Sequence, residues 1–373
     1  MKPEMVGGNK RSTRTRTYYL RSSKRKRLTE IESLPEEVLF DVLVRLQAHD
    51  IYESARLACS KWYHMIHTHA FIYAHLQRST YGKWYGRDIQ EQVQTQVPLQ
   101  VSCNGLLLEF GRGSKYNIYA LNPATRQIFA LPPFAFKLIH YRLFGIAYAA
   151  ASMVYKAIVI GEGIKRPCYI LTIGVDNSWR TVDSECLSSL DSTRVHVVTP
   201  LITEGFVHWY NVVTNVVLTM NVETEIITET SGPNPEIHLN NYLSTNPVCH
   251  LNAYLSTGRY LSLLRPCGDF CWEVWEMKPN IDYRWRKVCD ISLEAHKCTT
   301  FERFGINERH YLNPIGWLKY PELLVFGDKS RIRPQIFAFN LLTQEIVTIE
   351  LPVKIFDYKI VVHKNSLVWL GGC

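Results

Sequence analysis

Tyr119-Ala-Leu-Asn-Pro-Ala-Thr-Arg-Gln-Ile128 recurs twice further along the chain, as Leu218-Thr-Met-Asn-Val-Glu-Thr-Glu-Ile226 and Phe337-Ala-Phe-Asn-Leu-Leu-Thr-Gln-Glu-Ile346. The shared template is apolar-x-apolar-Asn-x-x-Thr followed by a second strand. It predicts a hairpin: the Asn side chain bonds the backbone just ahead of it and starts a turn, and the Thr opens the return strand. Leu131-Pro132 and Leu351-Pro352 follow the first and third copies. A second template alternates with the first, as Trp179-Arg180-Thr181-Val182 and Trp285-Arg286-Lys287-Val288, each after a strand and a polar turn. In chain order the marks are Asn122, Trp179, Asn221, Trp285 and Asn340, at steps of 57, 42, 64 and 55 residues. Strand-built repeats of that length predict propeller blades of four strands each. The two tryptophans are expected to pack between neighbouring blades, as core and not as ligand contacts.

Outward from these marks the same character holds. Short apolar runs rich in β-branched and aromatic residues recur between Gly, Pro, Asn and Asp: Val154 to Ile160, Phe206 to Val213, Leu323 to Phe326, Ile336 to Leu341, Val361 to Val362 and Leu367 to Leu370. No long amphipathic helix is expected beyond residue 80. Residues 98–373 therefore read as one all-β domain, and 79–97 as a polar linker that runs into a Gln-rich stretch.

Residues 31–78 have the other periodicity. Ser33 and Glu36 make a capping-box pattern, with Pro35 in the first turn. Val38, Leu39, Val42, Leu43 and Leu46 follow as one apolar helix face. Asp50 is placed to cap a second short helix through Ser54, Ala55 and Ala58, and Ser60 a third carrying Trp62, Met65 and Ile66. Three short helices give a thin core, and such a unit usually needs a partner to cover the rest of its apolar surface.

The chain has 373 residues, 46% hydrophobic and 20% charged, in the range of ordinary folded proteins. Its +8 net charge is carried by residues 1–30, which hold ten basic and two acidic side chains; the rest balances at 32 of each. A neutral body argues against a large nucleic-acid face. The N-terminal stretch is polar and is expected to be disordered. Lys10 and Arg11, then Lys24, Arg25, Lys26 and Arg27, form two basic clusters on a spacer, as in a bipartite nuclear-import signal. The alternative is a solvated basic arm with loose affinity for RNA or acidic surfaces. Location in the nucleus, the cytoplasm or both is expected. No apolar run long enough for a membrane helix is present, and no signal peptide is read at the N-terminus. The ten cysteines are scattered and read as reduced thiols.

Leu34-Pro35-Glu36-Glu37-Val38-Leu39, Val42-Leu43-Val44-Arg45-Leu46, Ala55-Arg56-Leu57-Ala58-Cys59, Lys61-Trp62 and Met65-Ile66 together resemble the F-box motif in order and spacing. The turn Gln47-Ala48-His49-Asp50 departs from the family's usual Leu-Pro pair there. The resemblance implies docking on a Skp-family adaptor, and through it on a cullin and a RING subunit. By position Leu34, Pro35, Ile51, Leu57, Cys59 and Trp62 match the adaptor-facing or supporting residues. Leu34 and Pro35 are expected to be the most exposed of them, and Trp62 serves either as a contact or as internal packing. The β domain resembles the F-box-associated domain of a large plant family, through its Asn-Pro-x-Thr hairpin, its Trp-Arg strands and Gly205-Phe206-Val207-His208-Trp209. That implies a propeller-like domain which holds a protein substrate. The segment after Leu351 matches less clearly.

Signatures of catalysis are sparse. Gly111-x-Gly113-Ser-Lys115 lacks phosphate-loop spacing, and Gly161-Glu-Gly163 reads as a turn. Cys267 and Cys271 have no second pair at zinc spacing and read as buried or loop thiols; His64, His67, His69 and His75 lack a ligand geometry and are expected to be surface or partner-facing. Neither G-x-S-x-G nor H-E-x-x-H occurs. The reading is a non-catalytic substrate receptor of a Skp–cullin–F-box ubiquitin ligase, with no cofactor, metal or membrane partner and an unknown protein substrate. Its rivals are a propeller enzyme with an unrelated helical cap, and a nuclear RNA-associated scaffold using the basic tail.

Overall fold

The protein is seen in a computed structural model that describes residues 34–78, 102–110, 117–133, 143–160, 167–182, 200–211, 215–233, 253–268, 270–279, 281–306, 312–328, 335–349, 363 and 366–368. The chain divides into two compact units on either side of the Leu43–Val44 bond. Ser33, the linker, the basic tail, Gly111 to Lys115 and Gly161 to Gly163 lie outside the described residues.

Among the described residues the first unit contributes the helix α1 (Glu36–Leu43), which opens with Leu39 N donating to Pro35 O at 3.1 Å. Its first turn carries Glu36 and Glu37, the charge that suits a helix N-terminus. The second unit begins with α2 (Ala48–Glu53), a tight turn at Ala55–Leu57, α3 (Ser60–Ile66) and α4 (His69–Arg78). Sequence reading missed α4, whose buried face is Phe71, His75 and Leu76. It also placed two caps wrongly. Gln47 and Cys59 hold the extended cap positions, so Asp50 falls inside the first turn of α2 and Ser60 is the first residue of α3.

Among the described residues the β domain consists of five four-stranded antiparallel sheets, each with its strands in chain order. The first holds β1 (Ser102–Cys103), β2 (Leu106–Phe110), β3 (Ile118–Asn122) and β4 (Gln127–Ala130). The second holds β5 (Leu143–Ala149), β6 (Val154–Ile160), β7 (Cys168–Thr172) and β8 (Arg180–Val182). The third holds β9 (Leu201–Thr203), β10 (Phe206–Asn211), β11 (Val216–Asn221) and β12 (Ile227–Ser231). The fourth holds β13 (Ala253–Ser256), β14 (Leu261–Gly268), β15 (Cys271–Met277) and β16 (Trp285–Ser292). The fifth holds β17 (Leu312–Lys319), β18 (Leu323–Asp328), β19 (Ile336–Asn340) and β20 (Glu345–Ile349). First strands meet in succession, β1 with β5, β5 with β9, β9 with β13 and β13 with β17, so they face the centre of a five-bladed propeller. Burial follows this order. All six residues of β10 are buried, whereas the fourth strand β20 has none buried. Inner strands, covered on both faces, therefore read as continuous apolar runs, and outer strands alternate.

Every sequence mark sits at the third-to-fourth-strand turn of its blade. Asn122 Oδ1 accepts Ala124 N at 3.0 Å, Asn221 Oδ1 accepts Glu223 N at 2.9 Å, and Asn340 Oδ1 accepts Leu342 N at 2.8 Å. Arg126, Glu225 and Gln344 then take left-handed backbone at φ 55°, 61° and 59°, reversing the chain into the fourth strand. In the other two blades the tryptophans reach backward. Trp179 Nε1 donates to Pro132 O at 2.9 Å and Trp285 Nε1 to Ser231 O at 3.1 Å, each at the end of the preceding blade. Leu367 and Val368, read as part of a strand, are buried without strand pairing. This stretch closes onto the first blade: Asn122 Nδ2 donates to Ser366 O (3.1 Å) and Val368 O (2.8 Å). Ser366 Oγ donates to Asn104 O at 2.6 Å.

Candidate docking site

Helix α1 places five apolar side chains on a short cylinder, and two of them are fully buried, with Phe40 half-buried. Leu39 and Leu43, one turn apart, are buried, while Val38 and Val42 are 45% and 51% exposed. The apolar arc is wider than its buried part, which leaves a β-branched strip facing out. Pro35 is exposed and Leu34 half-buried.

In the second unit the turn Ala55–Leu57 buries Ala55 and points Leu57 outward, 69% exposed. Leu57, and not Leu34, is thus the more open of the two leucines. Arg56 lies with its guanidinium 3.8 Å from the centre of the Tyr52 ring and donates to Tyr52 O, which fixes the turn. Ile51 is fully buried and supports the fold from inside. Cys59 and Trp62 are half-buried. The six residues singled out from sequence therefore divide into open ones (Pro35, Leu57), half-covered ones (Leu34, Cys59, Trp62) and one interior one (Ile51). Sequence reasoning missed the outward roles of Val38 and Val42. The signal was there in two apolar pairs at i, i+4 side by side.

The histidines also separate. His75, expected at the surface, is buried, with its Nε2 3.0 Å from Leu46 O. His64 is exposed, and His67 Nδ1 lies 2.6 Å from Tyr63 O. His69 Nε2 lies 3.3 Å from Tyr148 Oη of β5, and Ile72 packs against the core of the first three blades. Helix α4 thus belongs with the propeller as well as with the helices before it. Among the described residues no three His, Cys, Asp or Glu side chains converge as a metal site.

Several polar groups are buried inside the propeller. His208 is locked between Thr203 Oγ1 (2.8 Å) and Thr219 Oγ1 (2.9 Å), and burial pushes its pKa down to about 3. Burial pushes the Cys103 and Cys168 thiols up to about 12, which keeps them as unreactive thiols. Glu109 in β2 is buried, and burial raises its pKa to about 7. These are isolated or self-satisfied groups, and none is paired with a second group in the way acid–base catalysis requires.

The F-box-like family model matches residues 31–79. No match is found among curated proteins. Among solved structures, the GH74 xyloglucanase from Xanthomonas campestris is similar at 9% identity and a TM-score of 0.39, over 67% of this chain and 38% of that one. An oligogalacturonate lyase in complex with manganese is similar at 10% identity and a TM-score of 0.37, over 65% of this chain and 61% of that one. The chain thus spans less than two thirds of the length of either structure. It carries a helical F-box-like region followed by a five-bladed β-propeller.

Proposed function

We propose that this protein is the substrate-recognition subunit of a Skp–cullin–F-box ubiquitin ligase, with the helices docking on a Skp-family adaptor and the propeller, of the F-box-associated kind, holding a protein substrate. The observation that carries the reading is an F-box-like region that leaves Val38, Val42 and Leu57 open to solvent ahead of a propeller. Apolar side chains held outward on short, fixed elements are what a docking surface needs, since their burial is completed only by the partner. No chemistry is then required of this chain. Holding a substrate lysine beside a charged ubiquitin carrier raises its effective concentration.

The test is adaptor affinity. Replacing Leu34, Pro35 and Leu57 together by Ala removes apolar contact without touching buried Leu39, Leu43 or Ile51. Interface anchors of this type are each worth ~2 kcal/mol. Adaptor affinity measured by calorimetry should fall at least about tenfold, with an unchanged melting temperature. Wild-type affinity in this folded variant would falsify the F-box reading.

A further inference from the structure

Antiparallel strands in chain order put the first-to-second and third-to-fourth turns of every blade on one face of the propeller. On that face the second blade departs from its neighbours. The residue just before the second strand is Gly105 in the first blade (φ 85°) and Gly205 in the third (φ 77°). In the second blade it is Met153, at φ 57° with its side chain 60% exposed. A left-handed backbone is costly for a residue with a side chain, and glycine fills it freely. A methionine kept there, pointing into solvent, is a strained position of the sort that clusters at functional sites.

Two more open apolar side chains lie on turns that polar contacts tie to this one. Val175, 65% exposed, lies in the turn before β8, and Ile226, 61% exposed, ends the turn before β12. A polar network knits the three turns together. Ser152, next to Met153, donates from its N (2.6 Å) and Oγ (3.1 Å) to the Glu223 carboxylate. Glu225, next to Ile226, accepts from Lys156 Nζ at 2.7 Å and pairs with Arg180. Arg180 Nε in turn lies 3.7 Å from the carboxylate of Asp176, next to Val175. Lys156 Nζ also donates to Val222 O at 2.8 Å. The arginine beside it holds the Glu225 carboxyl below its ordinary range. The charged groups around the three apolar side chains are thus already paired with one another, and they sum to one net negative charge (Asp176, Glu223 and Glu225 against Lys156 and Arg180).

We propose that Met153, Val175 and Ile226 form a peptide-docking patch at the border of the second and third blades, which takes a short neutral or weakly basic segment carrying apolar side chains. A fixed rim of satisfied polar groups around open apolar ones is the arrangement of a binding hot spot. The stiff β-branched pair gives the patch shape, and the flexible thioether lets it adapt to the occupant. A slight negative balance disfavours acidic peptides and nucleic acid. Resting on the ligase reading above, this segment is the part of the substrate that the receptor recognises.

The test selects a phage-displayed library of random twelve-residue peptides on the full chain, then measures labelled, enriched peptides by anisotropy. Selected peptides should carry apolar side chains and few acidic ones. Their affinity should fall at least tenfold for the triple variant Met153→Ser, Val175→Ser, Ile226→Ser. The control Ile281→Ser, Leu342→Ser, which alters exposed side chains of the fourth and fifth blades, should stay within twofold. Met153→Gly separates the patch from the fold: it relieves the backbone, so it should melt at or above the wild-type temperature and still bind at least threefold more weakly. Selection without enrichment, an acidic consensus, displacement by an RNA oligonucleotide, or equal loss in the control would each overturn the patch. Adaptor affinity, measured on the same samples, should be unchanged in all variants. Its absence in the wild type would count against the ligase reading and leave the peptide site standing.

Discussion

The helical region and the propeller treat their side chains in opposite ways. The helices leave apolar groups outside: Val38, Val42 and Leu57 are all between 45% and 69% exposed. The propeller takes polar groups inside: Lys156, His208, Thr219, Asn122 and Glu109 are all buried. Apolar surface facing water is stabilising only once a partner covers it. Buried polar groups cost free energy unless each is matched, and when matched they fix one arrangement. The first region thus leaves apolar surface open, while in the second Lys156, His208, Thr219 and Asn122 are held by hydrogen bonds and Glu109 is buried without one. That difference is what the proposed division into a docking region and a display surface rests on.

The largest effect that could break this contrast comes from the propeller interior. Phe337 in β19 is fully buried against Phe301 and Phe304, with ring centres 5.4 and 5.5 Å away. Phe337→Ala leaves a cavity and should cost about 3–5 kcal/mol, seen as an earlier transition in a urea melt. Affinity for the adaptor, read from folded protein at low temperature, should change less than twofold. A parallel loss of adaptor affinity would mean that the two regions do not divide the labour as described.

A smaller effect sharpens the contrast at the blade border. Lys156 is nearly buried, and its ammonium has Glu225 and Val222 O as partners. Removing one member of such a pair strands the other. Glu225→Gln should destabilise by about 2–3 kcal/mol, at or below the low end for a broken buried pair because Arg180 on the same carboxylate is partly open. The double variant Lys156→Met, Glu225→Gln should recover more than half of that loss, since no charge is left without a partner. If the double variant melts lower than both singles, the pair is not an isolated ionic link between blades.

How much of this could be read from the sequence depends on how far apart the interacting residues lie. The turns at Asn122, Asn221 and Asn340 were legible because the Asn side chain bonds backbone two residues ahead. Trp179 and Trp285 were legible as a second, alternating mark, but the number of blades was not, because it depends on how the strands group into sheets. Packing of those tryptophans against the preceding blade was also foreseen, but not their carbonyl partners. The closure by Ser366 and Val368 was not legible, because its partners Asn104 and Asn122 are more than two hundred residues away. Nor was the cluster around Met153, which needs three turns at once. In α1, periodicity told which residues share a helix face. It could not tell which side of that face is buried, so the exposure of Val38 and Val42 was not foreseen. Helix α4 was hidden by its histidines, one of which proves to be interior.

A dependence on pH should belong to the propeller alone. Glu109 is buried, and its pKa is raised from 4.5 to about 7 by burial. The folded state then holds its proton in a range where the unfolded chain has lost it. Glu109 therefore favours the folded state fully below about pH 4.5, and that contribution is lost as pH rises through about 7. His208 works the other way. With its pKa lowered from 6.5 to about 3, its contribution is present above about pH 6.5 and is lost as pH falls towards 3. Glu109→Gln removes the first dependence and leaves the second. The melting temperature of the variant minus that of wild type should therefore rise steadily from pH 5 to pH 7.5 and level off above it. On the proposed docking reading, adaptor affinity rests on apolar side chains such as Val38, Val42 and Leu57 and should stay flat over the same range. A melting difference that does not change with pH would mean that Glu109 is ionised in the folded state and paired, and would remove it from the contrast between the two regions.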